Sequence, residues 1–225
     1  MPDKSKSTKH GITKRKKVTP AHTNPPWGTV VRDKRYAKLI TINPARPGLT
    51  KEDAAKEHQM QITKISQDAD YIIIYTDGSV KGRGRKRRTG AGWVLYWKGE
   101  EKKNGSEGMG RDARVHDAEM LALLRGLETS IEFWQTMPEG NRKQCRIVLY
   151  SDNTSSVASI TNKKLGSISR KFVETTKTFL GASIEVSWVP GHQDITGNDR
   201  ADELAKKATE LQPATETSTS CYATI

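Results

Sequence analysis

The apolar positions of the chain alternate between two periods. Tyr71 to Tyr75 (YIIIY) is an unbroken run of β-branched and aromatic residues, the composition of a strand buried on both faces. Thr76-Asp77-Gly78-Ser79 follows, and Gly and Ser favour a turn there. Cys145 to Tyr150 repeats the theme with Ile147, Val148 and Leu149 ahead of Ser151-Asp152-Asn153. Ile184, Val186 and Trp188 alternate with Glu185 and Ser187, which predicts a half-exposed strand. Ala91 to Trp97 and Lys102 to Met109, joined near Lys98-Gly99-Glu100, predict a hairpin. Elsewhere the period becomes helical: Val115, Ala118, Leu121, Ala122, Leu124 and Ile131 predict a helix over 114–132. Asp152 and Asn153 cap a helix to about Thr161, and Ile168, Phe172, Thr176, Phe179 and Leu180 mark another behind Ser167. Asn198 caps a last helix with the stripe Ala201, Leu204, Ala205, Ala208 and Leu211.

Three strands, then helix, strand, two helices, strand and helix make an α/β layered domain over residues 70–211. The strands at 71–76 and 145–150 are separated by a helical crossover, so they are expected parallel and adjacent. That arrangement places Asp77 and Asp152 side by side at the carboxyl ends of strands, where open α/β sheets build sites. Residues 1–28 are Lys, Ser, Thr and Pro with almost nothing to bury and read as a disordered basic tail. Residues 29–69 read as a linker: Thr29 to Ile42 has some strand character, Pro44 and Pro47 interrupt it, and Thr50 caps a short helix to Ile65. From residue 212 a Thr/Ser/Ala tail is expected to be disordered.

No apolar run has membrane-spanning length, the N-terminus is polar, and two cysteines are too few for a disulfide framework or a zinc site. A reducing intracellular compartment fits, and Lys14-Arg15-Lys16-Lys17 resembles a nuclear-import signal. The net charge of +12 is concentrated in two places, residues 1–20 and 81–88, each with an excess of six positive charges. Concentrated positive charge on a neutral scaffold points to a polyanion, nucleic acid before membrane. The glycines of the 81–90 loop are not followed by Lys-Ser or Lys-Thr, so it is no phosphate-cradling P-loop.

Asp77 at a strand end is costly unless a metal or partner compensates it, although an Asp there could simply cap a turn. Glu119 has Val115, Ala122, Leu123 and Gly126 as helical neighbours, a small and apolar face on which Glu is rarely buried alone. Asp152 ends the second buried strand, and Asp202 lies beside the stripe of the last helix. Any one of these could be a structural acid. Four clustered carboxylates would repel one another, and divalent cations remove the conflict. An all-oxygen site suits Mg²⁺ or Mn²⁺, and two such ions about 4 Å apart support in-line phosphoryl displacement. His192, flanked by Gly191 and Gly197 in a polar loop, is a candidate proton relay or plain solvated surface. Ser79 has no evident base partner, so no nucleophilic triad is expected.

TDGS at 76–79, the Glu119 helix, SDN at 151–153 and GHxxxxGNxxADxLA at 191–205 resemble, in this order, type 1 ribonuclease H. The likeness covers about 70–210. The form is most similar to the ribonuclease H region of non-LTR retrotransposon polyproteins, and Pro25-Pro26-Trp27 with Lys51–His58 resembles the connector before it. The resemblance implies a five-stranded mixed sheet flanked by helices and Mg²⁺-dependent cleavage of the RNA strand of an RNA–DNA hybrid. It implies that Asp77, Glu119, Asp152 and Asp202 are metal-binding acids, that His192 is an auxiliary histidine and that Asn198 is its neighbouring amide. It also implies substrate contacts from Asn153 and, through backbone at Gly78 and Ser79 with Glu119, reading of the 2′-hydroxyl. A reverse transcriptase portion would be a partner outside this chain.

Two features depart from the family pattern. Only Lys163-Lys164-Leu165-Gly166 stands where some members carry a basic protrusion, whereas Lys81–Arg88 is unusually basic. Arg85, Lys86, Arg87 and Arg88 are therefore candidate phosphate contacts replacing that handle. Thr154 stands where many relatives carry a longer amide. Two other readings compete with a hybrid-specific endonuclease: an inactive hybrid- or RNA-binding module, and a DNA-cutting recombinase on the same fold.

Overall fold

Tyr71–Lys81 forms the central strand, β2, and the register of every other strand can be counted from it. The computed structural model describes residues 40–161 and 165–211. Lys14–Lys17, Pro25-Pro26-Trp27, Lys163-Lys164 and both expected tails lie outside the described residues. Strands β1 (Ile40–Asn43), β3 (Arg88–Trp97), β4 (Glu100–Gly110), β5 (Arg146–Ser151) and β6 (Ser183–Trp188) complete one mixed sheet in the spatial order β1-β6-β5-β2-β3-β4. β2, β3 and β4 are antiparallel neighbours, and β5, β6 and β1 run parallel to β2. Lys98 and Gly99, both at positive φ, close the β3–β4 hairpin in two residues.

Because successive strand residues face opposite sides, β2 feeds two cores. Ile72 and Ile74, at 0% exposure, meet Leu121, Leu124 and Phe172 beneath α2 (Val115–Thr136), α4 (Thr154–Ser159) and α5 (Ser167–Thr178). Ile73 and Tyr75 meet Val148, Tyr150, Ala201 and Leu204 beneath α6 (Thr196–Ala208), with Ile62 and Ile65 of α1 (Lys51–Ile65) packed beside them. Each such fully buried aliphatic side chain contributes roughly 1.5–3 kcal/mol relative to exposure. A one-turn helix, α3 (Glu139–Arg142), leads into β5. None of the described helices is long and apolar enough to cross a membrane.

Three expectations are corrected. The sheet has six strands rather than five, because Ile40–Asn43 pairs in parallel with β6 from Ile184 to Ser187. The alternation Ile-Thr-Ile-Asn sends both isoleucines to the α2–α5 side, and Pro44, lacking an N–H, marks where pairing stops. The α1 helix that Thr50 caps, through its side chain on Asp53 N at 3.1 Å, lies on the opposite face.

Second, β2 does not stop at Asp77. Asp77, Gly78 and Ser79 stay paired with Gly92, Ala91 and Gly90 of β3, whereas β5 ends opposite Thr76, at Ser151. The missing β5 neighbour, not a turn, leaves the edge of β2 at Asp77 without a strand on that side. Third, Ile195 and not Asn198 is the cap of α6, and Asn198 is buried inside the first turn.

The glycines of β3 and β4 explain how α6 approaches so closely. A Cβ at Gly92 would lie 2.2 Å from the backbone nitrogen of Ala205, and one at Gly90 would lie 2.6 Å from Ala208. On the same side His58 of α1 is 6% exposed, bonds the Tyr75 hydroxyl at 2.8 Å and meets Tyr150 edge-on. Burial lowers its imidazole to about 4.

With the folded-state value below the unfolded one, the unfolded chain binds more protons between about pH 6.5 and 4. Stability is therefore full above this window and lost as pH falls through it, by about 3 kcal/mol. Chemical denaturation at about pH 7 and pH 4.5 should show a loss in the parent chain exceeding that in His58→Phe by about 2 kcal/mol; equal losses would refute the assignment.

Candidate metal centre

The paired register of β2 and β5 brings Asp77 and Asp152 together: Thr76 lies opposite Ser151, and each acid comes next. The α2 helix crosses this edge because Gly78 has no side chain. A Cβ there would sit 2.6 Å from the backbone nitrogen of Glu119 and 2.9 Å from its Cγ. In consequence, carboxylate oxygens of Asp77, Glu119 and Asp152 all lie within 4.8 Å of one another. Asp77 and Glu119 are buried and Asp152 half-buried.

Such a cluster is electrostatically unfavourable by itself. Burial, then the charges of Asp152 and Asp202, push Asp77 up to about 7, against the Gly78 N–H and Lys206. Glu119 is held well above the usual carboxylate range by burial first, then by Asp77 and Asp152. Burial also raises Asp152, which a bond from Asn198 and the nearby His192 charge partly offset. Oε1 of Glu119 accepts from Asn153 Nδ2 at 3.3 Å, while Oε2 is buried without a hydrogen-bond partner among the described residues. Oxygen-only donors, mutual repulsion and an unpartnered buried carboxylate oxygen all fit a hard divalent cation.

Asp152 is the most elaborately supported of the three. Asn198 Nδ2 donates to its Oδ2 at 3.4 Å, and the Trp188 indole Nε1 donates to its backbone carbonyl at 3.0 Å. At Gly191 a Cβ would lie 2.3 Å from Oδ2, so that position has to stay bare. Asn153 is the cap of α4, accepting from Ser156 N at 3.0 Å, which orients its amide toward Glu119.

Asp202 stands apart from the tight group. It is half-buried on α6, and its Oδ2 accepts from Lys206 Nζ one turn on at 2.5 Å, while its charge still reaches Asp77 and Asp152. His192 is exposed in the β6–α6 loop at φ 59, near enough for its charge to act on Asp152. The Gly78 amide serves Asp77 and Glu119, and Ser79 follows it along β2.

Arg85 and Lys86 lie in a short 3-10 turn, Gly84–Lys86; Arg87 follows and Arg88 opens β3. These four form the tip of the β2–β3 hairpin. Among the described residues no carboxylate pairs with them, whereas Lys81 pairs with Glu210 at 2.9 Å. Nothing in the sequence singles out Trp188 and Gly191 as supports of Asp152, since an indole and a glycine carry no chemistry in a motif. Lys206 is detectable there as the i+4 partner of Asp202.

The RNase H family model matches residues 69–210. Ribonuclease H1 of Homo sapiens is 31% identical over 158 residues, covering 64% of this chain and 51% of the human protein. Ribonuclease H of Clostridium botulinum is 26% identical over 152 residues, covering 61% of this chain and 94% of that protein. The chain spans 51–60% of the length of the mammalian relatives it matches. Among solved structures, RNase H1 from the archaeon Halobacterium salinarum aligns with 26% identity and a TM-score of 0.45, over 61% of this chain and 96% of that one. LC11-RNase H1 in complex with RNA/DNA hybrid aligns with 24% identity and a TM-score of 0.47, over 61% of this chain and 96% of that one.

The raised Asp77 carboxyl makes a signed prediction. The folded state binds more protons than the unfolded between pH 3.8 and about 7, so this group lowers stability increasingly as pH rises through that window. In metal-free buffer at about pH 8, Asp77→Asn should therefore be more stable than the parent by about 2 kcal/mol, and by less at pH 5. Saturating Mg²⁺ should raise the melting temperature of the parent more than that of the variant. A variant less stable than the parent without metal would show that the cluster is not repulsive.

Proposed function

The chain belongs to the RNase H family, and on that premise we propose that it hydrolyses the RNA strand of RNA–DNA hybrids endonucleolytically at this site. The observation that carries the reading is the Asp77–Glu119–Asp152 cluster with its unpartnered Glu119 oxygen. Two divalent ions, Mg²⁺ with Mn²⁺ as the alternative, would supply an activated water and stabilise the leaving oxygen of the phosphodiester.

The residues of the chain do the holding. Asp77, Glu119 and Asp152 would hold the ions, with Asp202 as the fourth carboxylate once it gave up its bond from Lys206 on α6. Asn198 and Gly191 keep the Asp152 carboxylate in one orientation, and Trp188 anchors the backbone carbonyl of the same residue. His192, exposed at the rim, passes a proton between its imidazole and the departing product. Backbone groups at Gly78 and Ser79, together with Glu119, would read the 2′-hydroxyl, the group that separates RNA from DNA, with Asn153 as a further substrate contact.

Phosphates further along the hybrid meet Arg85, Lys86, Arg87 and Arg88 at the hairpin tip, an interaction independent of sequence and sensitive to salt. The same reading assigns the chain to the ribonuclease H region of a non-LTR retrotransposon, with a reverse transcriptase portion as partner. Nuclear localisation through Lys14–Lys17 would suit that role.

A labelled RNA–DNA hybrid incubated with Mg²⁺ should be cut by the parent chain and not by Asp77→Asn, with duplex RNA left intact. Tight hybrid binding without any cleavage would instead support an inactive binding module, which the basic hairpin tip alone could sustain. Replacing Arg85, Lys86, Arg87 and Arg88 by Gln should reduce the slope of log affinity against log salt by about 0.9 for each phosphate no longer neutralised. An unchanged slope would remove the tip from the interface.

A further inference from the structure

The helix α1 lies ahead of the segment matched by the family model, yet it packs on the core cluster that contains Tyr75 and Tyr150. Ala54, Ala55, Ile62 and Ile65 supply the apolar part of that contact. His58 is the exception, a buried imidazole where an apolar side chain would be less costly to desolvate.

The groups that His58 touches give it a purpose. Its Nε2 shares a hydrogen bond of 2.8 Å with the Tyr75 hydroxyl, the one bond that this hydroxyl makes among the described residues. Its ring stands edge-on to Tyr150 with centroids 4.6 Å apart, and the two tyrosine rings stack at 5.1 Å. Each tyrosine lies two residues before an acid: Tyr75 before Asp77 on the same face of β2, and Tyr150 before Asp152 at the end of β5. One histidine therefore spans the two strands that carry the central acids.

Tyr75 also reaches α6. A Cβ at Gly197 would lie 2.2 Å from its ring, so the ring is seated against the backbone of the first turn of that helix. The next residue, Asn198, donates to Asp152 Oδ2 at 3.4 Å. Packing alone requires neither polar group, because Phe at 75 and an apolar residue at 58 would leave no buried hydroxyl or imidazole to satisfy. What the polar pair adds is a fixed orientation of the rings.

We propose that α1 is a working part of the active site and that His58 is a positioning residue. Through Tyr75 and Tyr150 it holds Asp77, Asp152 and Asn198 in register to bind divalent ions. Loss of the hydrogen bond frees the Tyr75 ring to tilt beneath Gly197, which loosens the hold of Asn198 on Asp152. The catalytic consequence rests on the hybrid-cleavage reading above; the effect on ion binding does not.

Binding of Mn²⁺ is measured by titration calorimetry with the full chain at about pH 8, where the raised Asp77 carboxyl is ionised. The proteins compared are the parent, His58→Phe, Tyr75→Phe, the double variant and Ile62→Ala, each shown folded by near-ultraviolet circular dichroism. Either single variant should weaken Mn²⁺ about tenfold, the lower end of what loss of a ligand-orienting group costs. The double variant should be no weaker than the worse single one, since both changes remove the same bond. Ile62→Ala loosens the packing of α1 without touching that bond and should bind Mn²⁺ as the parent does. On a labelled hybrid the single variants should lose about tenfold in kcat at unchanged KM.

Unchanged Mn²⁺ affinity in the single variants overturns the proposal, as does an equal loss in Ile62→Ala or a double variant that loses the product of the two single effects. A parent that binds no Mn²⁺ overturns it outright. Should His58→Phe fail to fold, Tyr75→Phe against Ile62→Ala decides by the same comparison. If the parent binds Mn²⁺ but cuts no hybrid, the hybrid reading fails separately and the Mn²⁺ affinities alone judge the role of His58.

Discussion

Three carboxylates share a space that water would have to leave, and much of the architecture serves to keep them there. Their repulsion opposes folding, so the backbone has to impose what the side chains resist. Parallel pairing of β2 with β5 sets two acids abreast, and a glycine at 78 lets the third arrive on a helix. A second glycine at 191 leaves the Asp152 carboxylate its room, an amide donates to it, and an indole holds the backbone carbonyl of the same residue. The cores above and below β2 supply the rigidity against which this local repulsion is balanced. A cation at the site converts the same repulsion into affinity.

Much of this can be read from the chain, because buried strands and amphipathic helices announce themselves by period. The runs at 71–75 and 147–150, the helix around Glu119 and the final helix appear where their apolar spacing puts them. What cannot be read are features that depend on a partner distant in sequence. Asp77 looks like a strand end because Gly and Ser follow it, yet β3 continues the pairing and only β5 stops. Asn198 has the identity of a helix cap, but the helix starts two residues earlier and draws the amide inward to Asp152. Asp202 has the spacing of a fourth ligand, while its lysine neighbour on the same turn competes for it.

The stretch 40–65 shows the same limit at the level of the domain. Four residues of alternating pattern ahead of two prolines carry too little signal to be separated from a linker. Once β6 is present as a template, the two isoleucines of β1 have a core to enter, and the helix after them has Tyr75 and Tyr150 to cover. Sheet and helix then place Lys51 close enough to Asp152 for its charge to act there, so the segment ahead of the matched region contributes to the surroundings of the site.

The glycines beneath α6 have a consequence for how this chain tolerates change. Gly90, Gly92 and Gly108 place strand backbone against helix backbone, with a Cβ at Gly108 falling 2.6 Å from the Leu211 carbonyl oxygen. No rotamer adjustment relieves a backbone clash, so the three positions act as a rail on which the helix bearing Asp202 and Asn198 is seated. A side chain at any of them displaces that helix, and with it residues at the carboxylate cluster that none of the three glycines touches.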